Sequence, residues 1–291
     1  MKNLLLLTDF STSAKHAAVF AYSLAKQIKG RLMLCNTVIV PTDLSMAGLI
    51  VWPLPDTGEL IKDSESELKK LKFSLEKHEH DEQLKPLLTI RSYPGTPVNV
   101  VREISETSEI DFIIMGSHGE GLSSLILGNH TRSLINELGA PLFIIPLSAK
   151  LKPIKHIGFA TEFNDPKADM QYVKQIAEFA KTIDADVFIT HVCSEQECGD
   201  AFEKSVEKIL LEICAEISYS KIQYKAVLNT KTKQGLEWLI DNNDIDLLVL
   251  VHRHQDFFER IIRHSLSSKL ATDVVIPLLV YKNRVNTFPV S

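Results

Sequence analysis

No run of apolar residues in this chain approaches the roughly 18 or more that a membrane-spanning helix needs, so no membrane role is expected. Near the start, Leu4 to Leu7 meets Asp9 almost at once, which is too short for the core of a secretion signal. Cysteine is also scarce: Cys35, Cys193, Cys198 and Cys214 are four in 291 residues. Disulfide frameworks belong to small secreted chains, so reduced, buried thiols and a cytoplasmic location are expected. The formal net charge of −5 is spread along the chain without a block of one sign, which argues against a nucleic-acid-binding arm or a polybasic membrane patch. A nucleophile elbow, a metal-protease helix and a His-Cys pairing are missing too, so no enzymatic activity is expected.

What the chain does contain is alternation. Short β-rich runs at 4–8, 31–38, 87–92, 111–115 and 142–146 alternate with helix-like stretches at 13–28, 59–79, 97–106 and 131–138. This is the pattern of an α/β fold with a parallel sheet. Ser148-Ala-Lys-Leu-Lys-Pro153 then breaks it as a linker would, and a second copy follows. Ile157–Thr161 with Glu162-Phe163-Asn164 mirrors Leu4–Thr8 with Asp9-Phe10-Ser11, Ile245-Asp246 mirrors Ile110-Asp111, and Ile276–Val280 mirrors Ala140–Ile144. The expectation is two tandem doubly wound domains, 1–147 and 154–283, each on a five-stranded parallel sheet.

Ligands of such sheets bind beyond the carboxyl ends of the strands. Three segments of the first copy converge there: Thr8-Asp9, Asn36-Thr37-Val38, and the loop Met115-Gly-Ser-His-Gly119 that runs on to Gly128-Asn-His-Thr131. Two readings of that loop stand side by side. Its glycines and the following helix N-terminus could seat a phosphate on backbone amides. Alternatively they only turn the chain, with Asn129 as a helix N-cap. Neither the Walker A ending nor the G-x-G-x-x-G spacing is present. Ser117-His118 lacks an identifiable third partner for nucleophilic catalysis.

Together, Thr8-Asp9-Phe10-Ser11, Met115-Gly-Ser-His-Gly119 and Gly128 ahead of Pro141-Leu-Phe-Ile-Ile-Pro146 resemble the universal stress protein family across nearly the whole chain, as two tandem domains. The resemblance implies a Rossmann-like fold of the adenine-nucleotide alpha-hydrolase type. It also implies a stress-response protein that binds ATP, with Mg2+, and turns it over little or not at all. Carried across, the nucleotide-binding residues are Thr8, Asp9, Thr37, Met115, Gly116, Gly119, Gly128, Asn129, His130 and Thr131. Eight residues separate Gly119 from Gly128, one fewer than the family's G-x2-G-x9-G pattern, and Asn129 stands where Ser or Thr is usual. In family dimers the last strands pair. The resemblance therefore implies that 142–145 and 276–280 pair within this chain as a pseudo-dimer, with a homodimer as a further arrangement.

The second copy departs from this pattern, because its equivalent loop from Val251 to Ser265 contains no glycine and Glu162 replaces Asp9. Its His252, Arg253, His254, Arg260, Arg263 and His264 allow an anion site, a solvated basic loop, or a metal site on His252 and His254 that three arginines disfavour. The apolar segment 39–58 is either a flap on its own domain or a surface for a protein partner. A nucleotide-free interaction scaffold is the alternative function.

Overall fold

The computed structural model describes residues 1–39, 56–77, 85–117, 133–135, 137, 139–161, 163, 165–193, 199–229, 234–235, 238, 240, 245–252 and 276–282. They form two compact units that divide between Leu147 and Ser148.

In the first unit the order is β1 (Asn3–Leu7), α1 (Thr12–Gln27), β2 (Arg31–Val38), α2 (Thr57–Glu76), β3 (Leu87–Pro94), α3 (Pro97–Thr107), β4 (Phe112–Gly116) and β5 (Leu142–Ile145). Its strands lie in the order β3-β2-β1-β4-β5, all parallel, with Leu5 opposite both Met33 and Ile113. Strands covered on both faces read as continuous apolar runs, and Leu4, Leu5, Leu6, Ile113, Ile114 and Phe143 are all buried. The end strand β3 alternates instead, with Leu88 buried between exposed neighbours. Helix α1 meets the sheet through Ala14, Ala17, Ala18, Ala21 and Ala25, whose small side chains permit close approach, while Phe20 reaches Phe143 at 5.6 Å between ring centroids. Ser11 caps its first turn by accepting from the Ala14 N–H, and Thr96 caps α3 in the same way on Asn99.

The second unit repeats the plan with β6 (His156–Ala160), α4 (Pro166–Ile183), β7 (Asp186–Cys193), α5 (Asp200–Ile217), β8 (Ile222–Leu228), β9 (Leu247–His252) and β10 (Leu278–Lys282). Its parallel order β8-β7-β6-β9-β10 is that of the first unit. The repeat extends to single residues. Asp111 accepts from the Asn3 N–H at 2.7 Å beneath β1, and Asp246 accepts from the Lys155 and His156 N–H groups, each at 3.0 Å, beneath β6.

The sequence expectations placed these elements with small shifts at their ends. Thr8 lies just outside β1 rather than in it, and Gly116 is the last residue of β4 rather than the first of a loop. Among the described residues no helix is long and apolar enough to cross a membrane. Cys35 is buried and free, and burial pushes its thiol up to about 12; Cys214 is free and half-buried.

Candidate functional site

The sheet of the first unit reverses its strand order beside β1, whose neighbours are β2 on one side and β4 on the other. Chain connections leave in opposite directions there, opening the crevice in which such sheets hold ligands. At its rim the Thr8 N–H bonds the Cys35 carbonyl at 2.9 Å, so the ladder continues one residue past β1. Phe10 then takes a left-handed conformation, φ 65°, and its N–H bonds Thr8 Oγ1 at 3.0 Å. The Ser11 N–H bonds Asp9 Oδ1 at 3.0 Å. This tight turn leaves Asp9 exposed at the mouth of the crevice, directly before the N-terminus of α1. No carboxylate occupies the first turn of α1, so its dipole end is not neutralised from within.

Thr37, near the end of β2, and Met115, near the end of β4, are both half-buried. Thus five of the expected residues, Thr8, Asp9, Thr37, Met115 and Gly116, come together at the carboxyl ends of β1, β2 and β4. Gly119, Gly128, Asn129, His130 and Thr131 lie outside the described residues, as do His118 and 40–55 of the apolar segment. Ser117 is buried, and its carbonyl accepts from the Ser13 hydroxyl.

For Gly116 the structure gives a physical reason other than a phosphate. A Cβ placed there would lie 2.6 Å from Ser13 Oγ and 2.7 Å from both the carbonyl carbon and the oxygen of Ser13. The first turn of α1 therefore presses onto the end of β4, and only a glycine admits it. Sequence reasoning could not see this, because Ser13 and Gly116 are far apart in the chain.

The corresponding strand ends of the second unit carry a more aromatic and apolar set. Phe163 repeats the left-handed turn, φ 53°, and its N–H bonds Thr161 Oγ1 at 3.0 Å. Its ring, however, is buried, meeting His191 edge-on at 5.4 Å and Tyr224 at 6.1 Å between centroids. Val192 occupies the register position of Thr37 and packs so closely on Gly235 that a Cβ on that glycine would lie 2.7 Å from its Cγ1. Val251 stands where the first unit has Gly116, and His252 follows it. His254 lies outside the described residues, and among those described no cluster of histidine, cysteine and carboxylate could hold a metal ion.

The sequence pattern of the universal stress protein family matches residues 1–146 and again residues 153–282. The chain belongs to that family. In fold it is similar to a universal stress protein from Archaeoglobus fulgidus DSM 4304, with a TM-score of 0.66 and 16% identity over 96% of this chain and 98% of that one. It is also similar to a functionally unknown protein from Pseudomonas aeruginosa PAO1, with a TM-score of 0.52 and 12% identity over 97% and 92% of the two chains. At such identities the likeness is one of fold. No curated protein sequence matches the chain. In this tandem member of the universal stress protein family, Thr8, Thr37 and Met115 at the strand ends of the first unit are matched by Thr161, Val192 and Leu250 in the second.

Proposed function

We propose that this protein binds an adenine nucleotide, ATP with Mg2+, in the first unit, and that the second unit does not bind it. The supporting observation is the contrast between the strand ends of the two copies. The first unit places Thr37 and Met115, both half-buried, at the ends of β2 and β4, whereas the second has Val192 and the buried Leu250 at those register positions, which removes the hydroxyl and the thioether. The donor set fits a nucleoside. A carboxylate such as Asp9 can accept from an amino or hydroxyl group, the Thr37 hydroxyl can donate or accept, and a methionine such as Met115 suits the polarisable apolar face of a base. The phosphates would fall to Gly119, Gly128, Asn129, His130 and Thr131. In this reading the protein is a stress-response factor that holds ATP with little turnover, and its apolar 39–58 segment serves a protein partner.

Titration calorimetry with Mg-ATP tests the reading. Micromolar binding of one nucleotide per chain, lost in Asp9→Ala and in Gly128→Arg, is the expected result. Absence of both heat and thermal stabilisation in the wild-type protein would reject it in favour of a nucleotide-free scaffold.

A further inference from the structure

Behind the crevice of the first unit runs a line of partly buried hydrogen bonds, centred on the buried Ser64, that the sequence did not reveal. The Ser92 hydroxyl donates to Ser64 Oγ at 2.7 Å, the Ser64 hydroxyl donates to Asn36 Oδ1 at 2.8 Å, and Asn36 Nδ2 donates to the Thr8 carbonyl at 2.6 Å. The direction is fixed at one end, because the Thr8 carbonyl can only accept, so the amide nitrogen of Asn36 must face it. Every other donor then points the same way, and aligned bonds of this kind strengthen one another. Successive members are 28 residues apart and lie after β1, on β2, on α2 and on β3, so the line ties four elements to one point of the rim.

The second unit builds the same layers without it. His191 takes the place of Asn36 by strand register, with Ala226 opposite it where Asn36 has Ser92. Helix α2 buries Ser64, Leu68, Leu71 and Leu75, while α5 buries Val206, Leu210 and Ile213 with the same spacing, which sets Ser64 against Val206. A polar line running past the buried Ser64 costs desolvation that the apolar version avoids, and the repeat of the fold in the second unit does without it.

We propose that Asn36 is a positioning residue of the nucleotide site, with Ser64 and Ser92 orienting its amide. By holding the Thr8 carbonyl it fixes the turn that presents Asp9, and it does so from β2, next to Thr37. The two residues facing the nucleoside are thereby kept at a set separation, and the position of α2 is tied to that separation. The inference rests on the nucleotide reading above for its ligand, but its geometry does not depend on a ligand.

Valine and threonine at position 64 have nearly the same shape and differ in the hydroxyl, so Ser64→Val and Ser64→Thr separate the hydrogen bond from packing. Measured well below the melting temperature of both variants, Ser64→Thr should bind Mg-ATP within about twofold of wild type, and Ser64→Val, which leaves Asn36 Oδ1 and the Ser92 hydroxyl without their partner, about tenfold more weakly. Equal affinity of the two variants would overturn the proposal. If the wild-type protein binds no ATP, the nucleotide reading fails, and hydrogen exchange on the ligand-free variants decides this one. The Phe10 and Ser11 amides should then exchange several-fold faster in Ser64→Val than in Ser64→Thr, with the Phe163 amide unchanged. Equal exchange at Phe10 and Ser11 would overturn it.

Discussion

The backbone of Ser13 lies so close to Gly116 that a Cβ on the glycine would stand 2.7 Å from the Ser13 carbonyl carbon. Since the obstructing atoms include backbone, trimming the serine side chain does not clear them. Gly116→Ala is expected to cost about 1–3 kcal/mol of stability, and the added Ser13→Ala change should recover little of it. Chemical denaturation of the three variants checks this. A full rescue by Ser13→Ala would mean that the side chain alone is the obstacle. Substitutions at Gly116 are for the same reason poor tests of nucleotide binding, because they disturb the fold first.

Asp246 provides a handle on pH. Its burial works to raise the carboxyl pKa, but the Lys152 ammonium at 2.5 Å and the Lys155 and His156 N–H groups outweigh that and hold it below the usual carboxylate range. A carboxyl that binds protons less readily when folded contributes stability that is fully present above its unfolded pKa and is lost as the pH falls through the folded one. Asp246→Asn should therefore destabilise the protein by about 1.5–3 kcal/mol at neutral pH. The deficit should shrink below about pH 4. Denaturant midpoints across that range give the measurement, and a deficit independent of pH would remove Asp246 from the account.

The Cys35 thiol, pushed up to about 12 by burial, stays protonated at pH 8. Because the thiolate is the reactive form, Cys35 should resist alkylation in the native protein and react fully in denaturant. Peptide mapping after brief iodoacetamide treatment reads this directly. Rapid native labelling of Cys35 would show that β2 opens far more often than its burial implies.

Phe10 and Phe163 share a left-handed backbone but not an environment. Glycine relieves the strain at either position, yet at 163 it also removes a buried ring in contact with His191 and Tyr224. Phe163→Gly is expected to cost about 3 kcal/mol or more, and Phe10→Gly less than about 1 kcal/mol. Equal losses would show that the Phe10 ring is as firmly packed as its counterpart.

The strands and the duplication were legible in the sequence because parallel strands covered on both faces leave unbroken apolar runs, as in Leu4–Leu7 and Phe112–Ile114, and because landmarks recur in order. The ends were less legible: β4 takes in Gly116 because the Ser117 N–H still reaches the Ile145 carbonyl, a partner no local pattern reveals. Thr8, Asp9, Thr37 and Met115 were named from the family resemblance, and their places at or just after the ends of strands were legible in the sequence. Asn36, Ser64 and Ser92 were not read as a group, since their connection is made only when four elements meet. A serine in phase with Leu68, Leu71 and Leu75 on α2 was the available signal.

The contact between Ser13 and Gly116 has a mechanical side. With no room between them even for a methyl group, the front of α1 and the end of β4 make one close-packed wall, and displacing either means displacing both. Filling the proposed nucleotide site at Asp9 would then be felt through the opposite wall, along Asn36 and Ser64 into α2. That makes α2 the place to attach a reporter of the bound state.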